Sequence, residues 1–272
     1  MCISVFIWKS HPIYPLLLFL NRDEYHSRPT TPLGWWHDGE ILGGRDEVAG
    51  GTWLACGRDG KLAFVTNVRE IRSNSQLKSR GDLPVRFLTS KKNPQEFAEE
   101  VMGEVDEFSG FNLIVADVCS MSMVYITNRP KQGAPFVAQV SPGIHVLSNA
   151  NLDTPWPKAE RLRHSFEDVV RKRIEGEISL KEMSGTLMND TTKDEDESKL
   201  PRIYPPEFEY LLSAIFVEAD TPSGRYGTRS SSGVAVNTRG AVSFYERSLE
   251  TDVWKELTVN YHIQSKKAAA TY

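Results

Sequence analysis

The sequence is poor in cysteine, and its few cysteines are scattered. Its 272 residues include only three cysteines, Cys2, Cys56 and Cys119. They are too few and too widely spaced for a disulfide framework. No CxxC pair is present, so a structural zinc site is not indicated. We therefore expect free thiols in a reducing compartment, and thus a cytoplasmic protein. Neither a metal nor another cofactor is expected.

Long apolar runs and an excess of one charge are missing as well. No stretch approaches the ~20 apolar residues that a membrane-spanning helix needs, and the longest run covers residues 15–20. The 32 basic and 36 acidic residues leave a formal net charge of −4, which gives no general attraction to nucleic acid or to an anionic membrane. GxGxxG after a strand and GxxxxGK[ST] are also missing, so nucleotide binding is not indicated.

The apolar N-terminal segment predicts strands rather than a secretory signal. Residues 3–20 have no basic stretch before them, Lys9 and Pro12 interrupt them, and no small-residue cleavage site follows. We predict two short buried strands, residues 3–8 and 16–20, joined by a turn. The mature chain would then begin at Met1 or Cys2.

The remaining sequence indicates a mixed α and β domain. Residues 39–51 are rich in glycine and predict turns and close approaches of the backbone. Helices are predicted to begin near Pro94, Pro157 and Ser179, and β-forming runs follow from residue 215. Strands first, helices in the middle and strands last favour an α+β layered domain. We expect one domain over residues 1–264 and a flexible tail over residues 265–272.

Cys2 is the residue whose position is most informative about chemistry. Its small side chain allows removal of the initiator methionine, which would expose an α-amine with a reference pKa of about 7.7–8.0. That amine can act as the base for its own thiol, as in an N-terminal nucleophile hydrolase. The alternative is a chance cysteine, because most free cysteines are small buried hydrophobes.

Polar residues follow several of the predicted strands. Asp23, in the polar run of residues 21–24, would lie beside Cys2 if the first two strands form a hairpin, and it could hold the α-ammonium group. Asn67 and Asn149 end two further apolar strands, and an asparagine amide is a suitable donor to an oxyanion. Each of these residues is also a common turn residue, which is the alternative interpretation.

An ordered set of motifs resembles the NRDE family, whose best-known members are the transport and Golgi organisation protein 2 proteins. The motifs are Met1-Cys2, Asn21-Arg22-Asp23-Glu24, Leu42-Gly43-Gly44, Gly50-Gly51-Thr52-Trp53-Leu54, Thr66-Asn67-Val68-Arg69-Glu70, Ser148-Asn149 and Tyr226-Gly227-Thr228-Arg229-Ser230-Ser231-Ser232. The resemblance runs from residue 1 to about residue 260. It implies an αββα four-layer sandwich of N-terminal nucleophile hydrolase type with mainly antiparallel sheets, as in penicillin V acylase and bile salt hydrolase.

The resemblance also implies roles for individual residues. The implied catalytic set is Cys2 as nucleophile, Asp23 as the acid near the amine, Asn67 as oxyanion donor, Asn149 as the counterpart of an acylase asparagine, and Arg229 as the counterpart of a late arginine. The acylases carry an arginine three residues before the aspartate, where this chain has Leu20. The cation that would lower the thiol pKa is then missing, or Arg22 or Arg229 supplies it.

Several further residues have two interpretations. Trp35, Trp36 and Trp53, together with Arg22, are candidates for binding the substrate, and the alternative is that the tryptophans are core and rim aromatics. The charged residues at positions 69, 70 and 72 are expected to form a surface cluster.

Two functions follow from the residues and the resemblance. The first is a cysteine N-terminal nucleophile hydrolase that cleaves a small non-peptide amide (C–N) bond. The second is a carrier of a hydrophobic ligand, such as a lipid or haem, because relatives have been linked to Golgi organisation, lipid metabolism and haem movement. Either function implies a small-molecule ligand, no nucleic acid and no integral membrane segment. The expected location is the cytoplasm, with association with the Golgi or mitochondria.

Overall fold

The structure is a computed structural model that describes residues 2–71, 77–129, 136–172 and 178–264. The predicted tail over residues 265–272 and the predicted surface residue Arg72 lie outside the described residues. Among the residues that are described, no helix is both long enough and apolar enough to cross a membrane.

The first of two seven-stranded sheets, sheet A, takes its strands mainly from the two ends of the chain. Its strands are β1 (Cys2–Trp8), β2 (Leu16–Tyr25), β10 (Gly143–Leu147), β11 (Glu218–Thr221), β12 (Gly224–Val236), β13 (Ala241–Glu250) and β14 (Val253–His262). They lie in the order β10-β1-β2-β12-β13-β14, with β11 paired to β12. The predicted hairpin of the first two strands is confirmed, and its second strand continues through Tyr25. That continuation carries the polar run of residues 21–24 within the sheet.

The second sheet, sheet B, is a meander of consecutive strands. Its strands are β3 (Thr30–Trp36), β4 (Ile41–Asp46), β5 (Leu54–Gly57), β6 (Lys61–Asn67), β7 (Phe111–Asp117), β8 (Ser122–Thr127) and β9 (Phe136–Gln139). The prediction of turns over residues 39–51 is wrong for β4, which lies within that range. Its glycines serve close packing, since a Cβ added at Gly43 would lie 2.6 Å from the carbonyl oxygen of Leu54.

Helices cover the outer face of each sheet, and the two sheets pack face to face. The helices are α1 (Asp82–Thr89), α2 (Pro94–Met102), α3 (Pro157–Arg171), α4 (Leu180–Leu187) and α5 (Pro206–Leu211). A core between the sheets joins Phe6 to Phe64, a second core packs α1 and α2 on sheet B, and a third packs α3 and α4 on sheet A. The predicted αββα sandwich with mainly antiparallel sheets is therefore confirmed. Helix α1 was not predicted from the sequence.

Side chains along β1 and β2 alternate between the two cores, as the pleat of a strand requires. Phe6 and Leu18 face sheet B, whereas Val5 and Phe19 face the helices. Because of the same alternation, the side chains of Arg22 and Asp23, which are neighbours in sequence, point to opposite faces of sheet A.

Strand β12 contains a bulge where it pairs with the polar end of β2. Thr228 pairs with Asp23 and Ser230 pairs with Arg22, so Arg229 has no partner position across the ladder. A bulged residue of this kind shifts the alternation of side chains on one strand by one position. Thr228 consequently faces the same side of the sheet as Asp23.

Candidate active site

Cys2 lies at the start of a central strand and lines a cavity. It pairs with Arg22 across the β1–β2 hairpin, is 8% exposed, and borders a cavity of about 350 Å³. The lining includes Asp23 from β2, Asn67 from the end of β6, and Trp53. The structure thus brings together residues that are far apart in the sequence, at the ends of strands from both sheets.

The Asp23 carboxyl group lies beside Cys2 and is almost fully buried. Its Oδ1 accepts a hydrogen bond of 2.7 Å from the Thr228 hydroxyl, an arrangement that the bulge in β12 makes available. Burial raises the pKa of Asp23, and the positive charges of Lys158 and Arg69 and the Thr228 hydrogen bond oppose that rise. Asp23 is therefore a carboxyl group whose ionisation depends on cations close to it.

The Cys2 thiol is also perturbed by its surroundings. Burial raises its pKa, and the negative charge of Asp23 acts in the same direction. The positive charge of Arg22 and a hydrogen bond with the backbone of Asp23 act in the opposite direction. A thiol in this position needs a neighbouring base or cations to become a nucleophile at neutral pH.

Asn67 and Asn149 form a hydrogen-bonded pair although they are 82 residues apart in sequence. Asn149 Nδ2 donates to the backbone oxygen of Asn67 at 3.0 Å and to its Oδ1 at 2.9 Å. The neighbouring Ser148 hydroxyl donates to the carbonyl oxygen of Cys2 at 3.2 Å. Asn67 lines the cavity, and within the described part of the chain its Nδ2 group makes only a long hydrogen bond of 3.5 Å, to the Val68 oxygen. Since the amide hydrogens of Asn149 bind Asn67, the Nδ2 group of Asn67 is the better candidate for an oxyanion donor. Asn149 holds Asn67 in place.

Arg22 contributes a fixed, partly neutralised cation to the cavity wall. Its Nη2 lies 3.1 Å from Asp46 Oδ2, and its guanidinium carbon lies 4.3 Å from the centre of the Trp53 ring. Gly44 leaves room for that ring, because a Cβ added there would lie 2.3 Å from it. Gly44 and Trp53, which come from two of the sequence motifs, thus together hold Arg22 in place.

Trp35, Trp36 and Arg229 are not among the described residues that line the Cys2 cavity. Trp35 packs edge-to-face on Tyr261, with ring centres 5.1 Å apart, and its ring centre lies 3.8 Å from the Arg58 guanidinium carbon. Trp36, next to it on β3, faces the core under α1 and α2. Both are accounted for by packing within the layers, which agrees with the alternative interpretation of the tryptophans.

Arg229 lies in a separate, smaller cavity beside Arg22. Its Nη1 donates to the carbonyl oxygen of Tyr25, the last residue of β2, and to that of Arg28, in the connection between β2 and β3. These contacts hold that connection on β12. The structure therefore places Arg229 as a support for the connection rather than beside the thiol.

Arg80 is a lining residue that sequence reasoning missed. It precedes α1 and lies near enough to Cys2 and Glu24 for their negative charges to stabilise its own charge, against a burial that lowers its pKa. The loop is held tightly, because the Thr52 backbone N–H donates to the Gly81 oxygen at 2.9 Å. Arg80 thus lies near Cys2 in addition to Arg22, the cation that acts against the rise in the thiol pKa. The glycine at position 81, which is typical of a turn, was the only sequence feature that pointed to Arg80, because α1 was not predicted.

A cluster of buried charges behind Asp23 was also missed. Arg69 forms a short ion pair with Glu209, and each side chain is 1% exposed. The expectation that Arg69 belongs to a surface cluster is wrong, whereas Glu70 does pair with Arg129, at 3.1 Å. Lys158 lies beside this pair and is 3% exposed. Lys158 precedes the buried Leu162 and Phe166 by four and eight residues. Residues at that spacing share a helix face, so this spacing was the sequence feature that could have indicated its burial.

Among the described residues, no group of three or more His, Cys, Asp or Glu side chains is arranged to hold a metal ion.

Comparison with known proteins identifies relatives and a shared fold. The family model for Transport and Golgi organisation 2 matches residues 1–251. The chain is 32% identical to the Transport and Golgi organization 2 homolog of Mus musculus, over 97% of this chain and 100% of the relative. It is 24% identical to Transport and Golgi organization protein 2 of Drosophila melanogaster, over 92% of each chain. A mutant of conjugated bile acid hydrolase from Clostridium perfringens shares the fold, with a TM-score of 0.51 and 10% identity over 100% of both chains.

Proposed function

For this chain, which belongs to the Transport and Golgi organisation 2 family, we propose the function of a cysteine N-terminal nucleophile hydrolase that cleaves a small non-peptide amide bond. One observation carries the proposal. Cys2, at the start of a central strand, shares a cavity with Asp23 and Asn67, which come from other strands. A nucleophile, a partner for its amine and an oxyanion donor are the groups that this chemistry requires.

The proposed reaction begins once Met1 has been removed. The free α-amine of Cys2, held by the Asp23 carboxylate, takes the proton of the Cys2 thiol. The sulfur attacks the amide carbonyl carbon, and Asn67 Nδ2 donates to the oxyanion, a contribution of about 3 kcal/mol. The C–N bond breaks as the α-ammonium group gives its proton to the leaving nitrogen. Water then cleaves the acyl thioester, which releases the acid and restores the thiol and the free amine.

The two cations near the thiol support the same chemistry. Burial raises the thiol pKa, and Arg22 acts against that rise. Arg80 interacts electrostatically with Cys2 as well. Positive charge of this kind stabilises the thiolate that forms during attack.

The dimensions and polarity of the cavity favour a small polar substrate. Its volume of about 350 Å³ is near the lower end of the ligand pockets found in proteins, which begin at about 300 Å³. Charged and hydrogen-bonding side chains predominate in the described lining. This lining favours the hydrolase over the carrier of a hydrophobic ligand, since Trp35 and Trp36 lie elsewhere.

The proposed location is the cytoplasm. Cys2, Cys56 and Cys119 are all free thiols, a state that persists in reducing compartments. Association with the Golgi or mitochondria stays a prediction from the family resemblance.

The test is capture of the acyl-enzyme. Protein whose Met1 has been removed, as verified by intact mass, would be incubated with a panel of N-acyl amides and digested for mass spectrometry. We expect an acyl adduct on the Cys2 peptide and release of the amine. Cys119→Ser is the matched control, because it removes an exposed thiol and should leave both signals unchanged. Retention of Met1 in the native protein, or ligand binding without turnover that survives Cys2→Ala, would refute the hydrolase and favour the carrier.

A further inference from the structure

Arg80 is a half-buried arginine on the wall of the Cys2 cavity. Within the described ranges of the chain, no carboxylate forms an ion pair with its guanidinium group, and its side chain donates no hydrogen bond to the protein. A guanidinium group carries five N–H donors and keeps its charge in proteins. The donors of Arg80 are therefore available to a molecule that enters the cavity.

The other cations in the described lining already have anionic partners. Arg22 and Arg28 bind the same carboxylate, that of Asp46, at 3.1 Å and 2.5 Å. Lys78 Nζ lies 2.5 Å from a carboxylate oxygen of Glu107. The charge of each of these side chains is largely balanced by the protein itself, which sets Arg80 apart from them.

The carboxyl groups in the same lining have other partners as well. Glu24 lies 3.8 Å from Arg28, and Asp23 accepts the Thr228 hydrogen bond. Glu24 stabilises the charge of Arg80 electrostatically, without an ion pair. The described wall around Arg80 thus offers a positive charge whose counter-ion the protein does not supply.

The backbone that carries Arg80 is fixed to the segment between β4 and β5. The Thr52 N–H donates to the Gly81 carbonyl oxygen at 2.9 Å. A Cβ added at Gly51 would lie 2.3 Å from that same oxygen, so the two backbones touch, as a glycine at position 51 allows. The Leu83 N–H donates to the Arg80 oxygen at 3.2 Å at the start of α1. A cation on a fixed backbone binds a ligand with less loss of conformational entropy than one on a mobile loop.

We propose that Arg80 is a substrate-binding residue that selects amides carrying a carboxylate. A guanidinium group binds a carboxylate through two parallel hydrogen bonds, which gives both affinity and orientation. The cavity has a volume of only about 350 Å³, so a molecule whose amide carbon contacts Cys2 also reaches the wall that holds Arg80. A carboxylate takes up less of that volume than a phosphate does. The inference rests on the proposed function, but its tests measure recognition of the carboxylate and require no turnover.

The first experiment compares iodoacetate with iodoacetamide as alkylating agents for Cys2. The two reagents share the leaving group, iodide, and differ in carrying a carboxylate or a neutral amide. The rate of each is read from the Cys2 peptide by mass spectrometry. A change in the thiol pKa alters both rates together, whereas recognition of the carboxylate alters their ratio. The exposed thiol of Cys119 should give the same ratio in every variant.

Three variants assign the ratio to Arg80. In Arg80→Met we expect the iodoacetate-to-iodoacetamide ratio at Cys2 to fall about tenfold, through loss of charge-assisted hydrogen bonds. Arg80→Lys keeps the charge but loses the planar fork, so its ratio should lie between the two. Lys78→Met is the matched control, because it removes a paired cation from the same lining, and its ratio should fall less than about twofold. An unchanged ratio in Arg80→Met, or an equal fall in Lys78→Met, would overturn the inference.

The second experiment uses the wild-type protein and stays decisive if Arg80→Met does not fold or Cys2 does not react. The Nε resonance of Arg80 would be followed by NMR in ¹⁵N-arginine-labelled protein during titration with N-acetylglycine, neutral N-acetylglycinamide or inorganic phosphate. We expect a saturable shift with N-acetylglycine and about tenfold weaker binding of the neutral amide. The Arg129 resonance, whose side chain pairs with Glu70, should not move.

Equal binding of the two acetylated compounds, or no saturable shift with N-acetylglycine, would refute the inference. Tighter binding of phosphate would refute the choice of a carboxylate. Hydrolysis of neutral amides without any preference for a carboxylate would refute this inference and leave the hydrolase standing. Binding of N-acetylglycine at Arg80 in a protein without turnover would do the reverse.

Discussion

The two faces of sheet A at Cys2 are built on different principles. On the face toward sheet B, Arg22 is stacked on Trp53 and paired with Asp46, and Asn67 is held by the neutral amide of Asn149. On the face toward the helices, the Asp23 carboxyl group is buried close to Lys158. At Arg22 and Asn67, the first face is held by hydrogen bonds and ring contacts. The second depends on a balance of charges and therefore on pH.

Cys2 is the nucleophile of the proposed reaction, so its replacement should have the largest effect. Cys2→Ser should lower amide turnover by on the order of a thousandfold or more, because the nucleophile is lost. The stability should change by less than about 1 kcal/mol, since the two side chains are similar in size. Single-turnover kinetics and thermal unfolding check the two expectations. Wild-type turnover in Cys2→Ser would show that the Cys2 thiol is not the nucleophile, and the two faces around it would then have no bearing on catalysis.

Asn67 tests the face that hydrogen bonds fix. Asn67→Ala should lower kcat by about 10²–10³-fold through loss of an oxyanion donor. The pH midpoint of Cys2 alkylation should stay at the wild-type value, because no charge is removed. A pH–rate profile for turnover and alkylation measures both. A shifted midpoint would mean that this face also sets the proton balance, contrary to the comparison.

Asp23 tests the face that charge controls. Asp23→Asn should lower turnover on the order of a hundredfold by misplacing the base. Its alkylation midpoint should move to lower pH, because the negative charge of Asp23 raises the pKa of the Cys2 thiol. The measurement is the rate of Cys2 alkylation against pH in both proteins. A midpoint that stays in place or moves to higher pH would contradict control of this face by charge.

Glu246 offers a smaller, global test of the face between the sheets. It accepts a hydrogen bond of 2.6 Å from the Leu33 backbone N–H and so joins the two sheets. Burial raises its pKa from 4.5 to about 7, so the folded state favours the protonated acid. Its stabilising contribution is fully present below pH 4.5 and is lost as the pH rises through about 7.

Glu246→Gln should therefore be more stable than the wild type at pH 8, by about 1–3 kcal/mol, and the advantage should disappear in mild acid. Denaturant unfolding at several pH values measures this difference. Glu250→Gln on the same strand is the control, since Glu250 has an exposed partner in Lys255. A stability difference that does not vary with pH would show that this interface tolerates the charged carboxylate.

The sequence allowed prediction of the hairpin and the layers because apolar runs report burial directly. The motif resemblance also indicated Cys2, Asp23 and Asn67, which the structure places around one cavity. The buried charges were harder to predict, because Arg69 resembles a surface residue until its partner Glu209 is known. Burial of a charge depends on a counter-charge from a distant segment, and a single sequence does not identify that pairing. The sequence also could not show which way Trp35 and Trp36 point, since neighbouring residues of a strand face opposite sides of the sheet.

The bulge at Arg229 has a consequence for length changes along β12. In a regular strand, Thr228 and Ser230 would face the same layer, but the extra residue sends Thr228 to the helix layer with Asp23 while Ser230 stays opposite Arg22. Deletion of Arg229 would remove the bulge and leave Thr228 paired with Asp23 in a regular ladder, so the Thr228 hydroxyl would keep its place beside the carboxyl group. A slip of β12 that paired Arg229 itself with Asp23 would instead reassign Thr228 and every preceding residue of the strand to the opposite layer.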